Sequence, residues 1–172
     1  MTSVLKVDNI QNSSGTSAKI DVHGFSVAVI ADQKTQNTDG GTFTNGAWRT
    51  RDLNTKLFDP DGIVSISSNQ FTLGSGTYLI EWSAPAFACG RNKTRLYDVT
   101  GNASVQAGSS QWTQTAGEGY SVSSGYYRAV LTANNVYKIE HRCEVTSNTY
   151  GLGVASNFDV EIYTQVKITK LA

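Results

Sequence analysis

His23 and His141 are the only imidazoles in the chain, and Cys89 and Cys143 the only thiols. A hydrolytic nucleophile needs an adjacent base on an exposed turn, and zinc needs three or four ligands at close spacing; two His and two scattered Cys provide neither, and no Gly-x-Ser-x-Gly elbow is present. His141 falls on the apolar side of an alternating run, which makes it a hydrogen-bonded core or interface histidine rather than a catalytic one. Asp39, Asp59 and Asp61 carry oxygens suited to calcium, but Asp59-Pro60-Asp61-Gly62 lacks the alternating ligand pattern of a calcium loop and has the makeup of a turn. Gly74-Ser75-Gly76 is followed by a strand pattern, not by the helix a phosphate cradle requires, and reads as a hairpin turn. No metal and no cofactor is expected. A polysaccharide-degrading enzyme stays as a remote alternative, because two carboxylates far apart in sequence can meet in space.

Binding chemistry has more support. Ala107 to Gly125 carries four Gly, five Ser and a single charge, Glu118, together with Trp112 and Tyr120. Read as a loop, it has the composition of a paratope: rigid amphipathic rings supply contact area, and hydroxyls and amides supply adaptable hydrogen bonds, a combination suited to sugar rings. Tyr126, Tyr127 and Tyr150 join Trp112 and Tyr120 as receptor-contact candidates. The alternatives are that Trp112 packs on the domain's own flank, or that these aromatics line a subunit interface. Arg91, Lys93 and Arg95 form a small basic cluster that suits an acidic saccharide or a neighbouring subunit, with a solvated strand edge as the favoured reading.

Composition limits the elements that must position these groups. Ser, Thr, Asn, Gln and Gly make up 73 of 172 residues, and charged residues are 16%, well below the roughly 25% of an average globular protein. Fourteen basic residues balance fourteen acidic ones, so no net field gathers phosphates, and nucleic-acid binding is disfavoured. The longest apolar stretch, around Val27 to Ala31, is far short of the roughly 20 residues of a membrane span, and no membrane insertion is expected. Without a secretion signal at the start, Cys89 and Cys143 read as reduced, packed thiols, although a bridge between two sheets stays open.

Val, Ile and Thr make up a quarter of the chain while Leu and Met are few, and no window sustains a helical period, so the chain is all-β. Residues 1–24 read as an arm of two short strands around Asn12-Ser13-Ser14-Gly15; its apolar residues Val4, Leu5, Val7, Ile10, Ile20 and Val22 need burial from elsewhere, either in copies of the same chain or along an edge of its own sandwich. From Phe25 to the end, eight to ten short strands follow. Tyr137, Ile139, His141, Cys143 and Val145 alternate inward, and Val160, Ile162, Val166 and Ile168 do so in the last strand, with Asp159, Glu161, Gln165 and Lys167 outward. One wet and one buried face imply antiparallel pairing in a sandwich or jelly roll.

Phe71-Thr72-Leu73-Gly74-Ser75-Gly76-Thr77-Tyr78-Leu79-Ile80-Glu81-Trp82, preceded by Phe58 to Gly62, resembles the central stretch of the globular head of the complement first component and tumour-necrosis-factor superfamily. Arg95 to Gly101 and the closing Val160 to Leu171 fit the same family, over roughly residues 25–172; no collagen-like stem precedes them, and the Phe71 to Gly76 spacing is shorter than the vertebrate pattern. Val4 to Asn12, Gly15 to Ala18 and Lys167 to Leu171 resemble the ends of tailed-bacteriophage fibre proteins. Together these resemblances imply a ten-stranded jelly roll forming a tight homotrimer on the exterior of a virion, with residues 1–24 as stem and anchor. A non-enzymatic short tail fibre or receptor-binding tip, contacting a host glycan or protein and joined to a tail adaptor, is the leading expectation. Capsid decoration, gripping the major capsid protein to stabilise the head, is the alternative.

Overall fold

The computed structural model describes residues 25–115 and 119–171. The expected arm, with Val4, Leu5, Val7, Ile10, Ile20 and Val22, and also His23 and Glu118, lies outside the described residues. Eleven strands and no helix are described: β1 Ser26–Lys34, β2 Arg49–Thr50, β3 Thr55–Phe58, β4 Val64–Ser67, β5 Gln70–Leu73, β6 Gly76–Phe87, β7 Arg91–Asp98, β8 Ala103–Trp112, β9 Tyr120–Leu131, β10 Asn135–Cys143 and β11 Glu161–Lys170. They form two antiparallel sheets, one ordered β3-β1-β11-β6-β9 and one ordered β4-β5-β10-β7-β8 with β2 also pairing β10. The sheets face each other as a jelly-roll sandwich.

Inward alternation fills the middle of the sandwich with Ile30, Phe71, Leu73, Tyr78, Ile80, Trp82, Leu96, Ile139, Val166 and Ile168, all buried. Phe71 and Leu73 face Tyr78, Ile80 and Trp82 across this core instead of pairing with them. The expected hairpin at Gly74-Ser75-Gly76 is therefore a crossover: β5 pairs β4 and β10, whereas β6 pairs β11 and β9. Two alternating runs joined by a short turn have the same sequence pattern whether they pair within a sheet or face each other between sheets. Asp59-Pro60-Asp61-Gly62 is likewise a turn between sheets, with the Ile63 amide donating to Asp59 Oδ1 at 2.8 Å and Gly62 at a φ of 63°.

Three further expectations change. Arg91, Lys93 and Arg95 are not on a strand edge, because β7 lies between β10 and β8. Val160 is exposed and Glu161 is buried, the reverse of the expected alternation. A bulge between Ala31 and Gln33 breaks the β1–β11 register, and Glu161 turns in to accept from the amides of Asn37, Ser156 and Asn157. Those amides, Ser156 and Asn157 first, hold its carboxyl below the usual range. Ala107 to Gly125 is not one loop: all but the central residues belong to β8 and β9. Its small residues are needed where these two edge strands approach. A Cβ on Gly108 would overlap the Thr94 hydroxyl, and one on Gly125 would overlap the Trp82 ring.

A hydroxyl chain closes that side of the sandwich. Trp82 Nε1 donates to Thr94 Oγ1 at 2.9 Å, and Ser123 Oγ donates to the Ser109 carbonyl at 2.7 Å. Thr94 Oγ1 and Ser123 Oγ are 2.8 Å apart, so with the Ser123 proton already committed the Thr94 hydroxyl is the donor between them. Four strands, β6, β7, β8 and β9, are tied by this relay.

Beyond it the interior is polar. Arg51 is fully buried and donates from Nε to Thr164 Oγ1 at 2.7 Å, from Nη1 to the Pro85 carbonyl at 3.2 Å and from Nη2 to the Leu152 carbonyl at 2.7 Å. Burial pulls its guanidinium down to about 10, which leaves it charged at neutral pH. His141 is also fully buried, tilted on Phe43 with ring centroids 4.7 Å apart; Nε2 donates to Asn92 Oδ1 at 3.1 Å. Cys89 and Cys143 are free, buried thiols in a small cluster with Phe43 and Ala86, and burial pushes the Cys143 thiol up to about 12.

Arg51→Ala leaves three acceptors without a donor and opens a cavity, so a loss of about 3 to 5 kcal/mol is expected; a urea midpoint unchanged from that of the parent protein would refute the bracing role. Burial, and secondly the Arg51 charge, hold the His141 imidazole well below its ordinary value. The unfolded chain then takes up a proton near pH 6.5 that the folded chain refuses. Stability from this group is complete above about pH 6.5 and falls by about 1.4 kcal/mol for each pH unit below it, down to the folded value. Denaturation curves at pH 7.5 and 5.0 are expected to show that His141→Gln removes this part of the acid sensitivity.

Candidate binding surfaces

The antiparallel topology sorts the chain into two ends. Phe25 and Leu171 lie together at one, since Ser26 pairs Lys170 and the Leu171 amide donates to the Thr77 carbonyl at 2.7 Å. The connections after β1, β6, β8 and β10 gather at the other. They are pinned to one another by backbone bonds: Gly40 to the Gly153 carbonyl at 2.9 Å, Phe87 to Gly151 at 3.0 Å, Ala88 to Gly119 at 2.8 Å, Thr113 to Gly90 at 3.0 Å and Val145 to Cys89 at 3.0 Å. Phe43 and Ser147 exchange both bonds, at 2.8 and 3.0 Å. This loop end is therefore a shaped, hydrogen-bonded surface opposite the junction with residues 1–24.

The five receptor-contact candidates do not form one patch. Trp112, 63% exposed, stands at the loop end of β8 on the outer side of the six-stranded sheet, beside Arg91. Tyr120 and Tyr150 are exposed at the same end and meet around Phe87: Tyr120 pairs Phe87 across the strands, and Tyr150 lies edge-on to the Phe87 ring at 5.5 Å. Tyr126 is 75% exposed but sits in the middle of β9, opposite Glu81. Tyr127, its neighbour, turns inward and packs partly buried against the main core.

The sequence reading missed two features. Phe158, on the connection after β10, is 91% exposed and is flanked by exposed Val154 and Val160. More extended is β9 itself, an inverted strand. Ser121, Ser123 and Ala129 point inward and are buried, while Tyr120, Val122, Tyr126 and Val130 point outward and are exposed. The small inward residues are those that the Trp82 and Thr94 relay requires. The signal was present as large residues at even positions and small ones at odd positions between 120 and 130, except at Ser124 and Tyr127; reading the segment as a loop concealed it. Beside this stripe the outer face of the five-stranded sheet is polar, with Glu81 and Lys167 paired at 3.0 Å and Ser83 and Gln165 in the same shallow hollow as Val29.

Asp32 and Asp52 converge, but on Lys34, whose ammonium lies 3.1 and 3.2 Å from their carboxylates. Burial raises the Asp32 carboxyl. Among the described residues, no three His, Cys, Asp or Glu side chains come together in a way that could hold a metal ion.

No family model and no curated protein matches the sequence. Solved structures do match the fold. The globular domain of the zebrafish complement 1qA protein is similar with a TM-score of 0.55 at 15% identity, over 86% of this chain and 98% of that one. Murine APRIL at pH 5.0 gives 0.56 at 7% identity over 86% and 100%, and Eiger TNF from S. frugiperda gives 0.56 at 10% identity over 87% and 94%. At these identities the likeness is one of fold: the chain shares the jelly roll of complement 1q heads and tumour-necrosis-factor ligands.

Proposed function

We propose that this chain is a non-enzymatic attachment module that works as a homotrimer on the exterior of a tailed-phage particle, as a short tail fibre or receptor-binding tip. The observation that carries the assembly is the inverted strand β9, whose outward Tyr120, Val122, Tyr126 and Val130 place an apolar stripe on the edge of an otherwise polar sheet. At about 3.4 Å per residue the row runs for some 30 Å, interrupted by Ser124 and Arg128, and a second copy of the five-stranded sheet gives its apolar residues cover. The edge of one protomer on the face of the next is a heterologous contact, which gives a ring when its rotation closes. The likeness to complement 1q and tumour-necrosis-factor domains supports the same geometry.

The attachment reading rests on direction. Residues 1–24 join the sandwich at the end away from Trp112 and Tyr150, so anchoring by the arm presents these aromatics outward. The virion assignment rests on the resemblance of both chain ends to phage fibre proteins.

Light scattering on the purified chain is expected to give three times its 18.5 kDa mass. Tyr126→Asp combined with Val130→Asp is expected to give folded monomers; a monomeric parent protein would overturn the assembly. Antibody labelling of intact particles is expected to mark the tail tip, with Trp112→Ala and Tyr150→Ala lowering host attachment without changing particle stability. Label over the head would instead establish decoration through the arm.

A further inference from the structure

On the outer face of the six-stranded sheet, away from the β9 stripe, a hollow of about 580 Å³ opens between β7, β8, β10 and the corner at Asn45 and Gly46. Its floor contains an unusual charge arrangement. The neighbouring cations are matched: Arg91 forks onto Glu144, with Nε 3.1 Å from Oε2 and Nη2 2.5 Å from Oε1. Arg95 lies 2.6 Å from Glu140 and Lys138 2.8 Å from the same carboxylate. Between the Arg91–Glu144 pair and Glu140 with its two cations, Lys93 and Arg142 face each other directly across β7 and β10. Among the described residues neither has a carboxylate within ion-pair distance. Like charges directly opposed on one face of a sheet are destabilising, so this pair presents two cations set for an anion that the described residues do not supply.

The walls indicate what carries that anion. Trp48 lines the hollow, its ring held by Arg95, whose Cζ lies 4.2 Å from the ring centroid. Ser110, Gln111 and Asn45 add a hydroxyl and two amides. The corner is fixed, because Arg49 donates to the Thr44 and Asn45 carbonyls at 3.1 Å each and Asn45 Nδ2 donates to the Glu144 carbonyl at 3.1 Å. An indole, a hydroxyl and amides beside two cations match a pyranose that bears a carboxylate or sulfate: the ring offers an apolar face and a hydroxyl rim, and the acid group meets Lys93 and Arg142. A nucleic acid would need a row of unmatched cations, whereas here there is one pair on a chain with no net charge.

We propose that this hollow binds an acidic saccharide, with Lys93 and Arg142 taking the acid group and Trp48 the sugar ring. The hollow lies within one protomer and on the sheet opposite the β9 stripe, so it stands independently of the trimer.

Calorimetric titration of the full chain would use oligogalacturonate, a heparin-derived sulfated tetrasaccharide, neutral cellotetraose, a short single-stranded DNA and an oligoglutamate peptide as probes. Saturable binding of at least one acidic saccharide at millimolar concentration or below is expected, with none of the neutral one. Lys93→Gln and Arg142→Gln are each expected to weaken it by about tenfold or more. Lys93→Glu, which gives Arg142 an internal partner, is expected to abolish binding while raising the melting temperature, so lost binding cannot be mistaken for lost folding. Absence of binding to both acidic saccharides, retained affinity in these variants, or equal binding of the DNA or the peptide would each overturn the assignment. A parent protein that is monomeric yet binds the saccharide would uphold this site and refute the trimer.

Discussion

A guanidinium held in the interior of a β-sandwich organises the end of the molecule where the long connections meet. Arg51 follows the two-residue strand β2 and reaches β11 through Thr164, β6 through Pro85 and the long β10–β11 connection through Leu152. Three charge-assisted bonds, each worth about 1.5 to 3 kcal/mol, set against a desolvation cost of several kcal/mol, make the net contribution modest. What the arrangement fixes is position: the acceptors are backbone carbonyls and a hydroxyl in three separate segments, and no apolar side chain would align them. The loop end is therefore shaped from within, and the backbone bonds between connections complete it.

This polar interior changes what the strands around it carry. Where Thr94, Ser121, Ser123 and Thr164 fill the space between the sheets, there is no room for the large inward residues of an ordinary amphipathic strand. β9 accordingly keeps Ser121, Ser123 and Ala129 inside and places Tyr120, Val122, Tyr126 and Val130 outside, while Tyr127 and Leu131 pack against the main core. The exposed stripe and the hydroxyl relay are thus two sides of one packing solution, since Gly125 is small to make way for Trp82 and Trp82 reaches Thr94 because Gly125 lets it. The same approach of edge strands accounts for Gly108.

Much of the fold was legible because period-two alternation is a direct consequence of pleating. Tyr137, Ile139, His141 and Cys143 point inward as their spacing requires, and His141 is a core residue held by Asn92. Alternation says which face is wet but not which strand is the neighbour, so Phe71 to Trp82 read as a hairpin although its halves belong to different sheets. It also fails where register slips, as at the bulge that buries Glu161 and exposes Val160. Composition misled in the Ser- and Gly-rich segment, since small polar residues serve a crowded edge as readily as an open loop. Of the candidate aromatics, Trp112, Tyr120 and Tyr150 are together at one end, but sequence could not separate outward Tyr126 from inward Tyr127 without the register of β9.

The outer faces of the two sheets differ in a way that follows from their different neighbours. The five-stranded sheet carries on its outer face the exposed ion pair Glu81 with Lys167, beside an edge strand that alternates apolar residues with Ser124 and Arg128. The six-stranded sheet carries ion pairs on Glu140 and Glu144 with an aromatic lane of Trp48 and Tyr97 held by cations, a surface that is costly to desolvate. Lys93 and Arg142 are opposed without a carboxylate among the described residues, beside the hollow that Trp48 lines. An opposed pair of cations set in a corner braced by Arg49 and Asn45 is where a small charged ligand can be held.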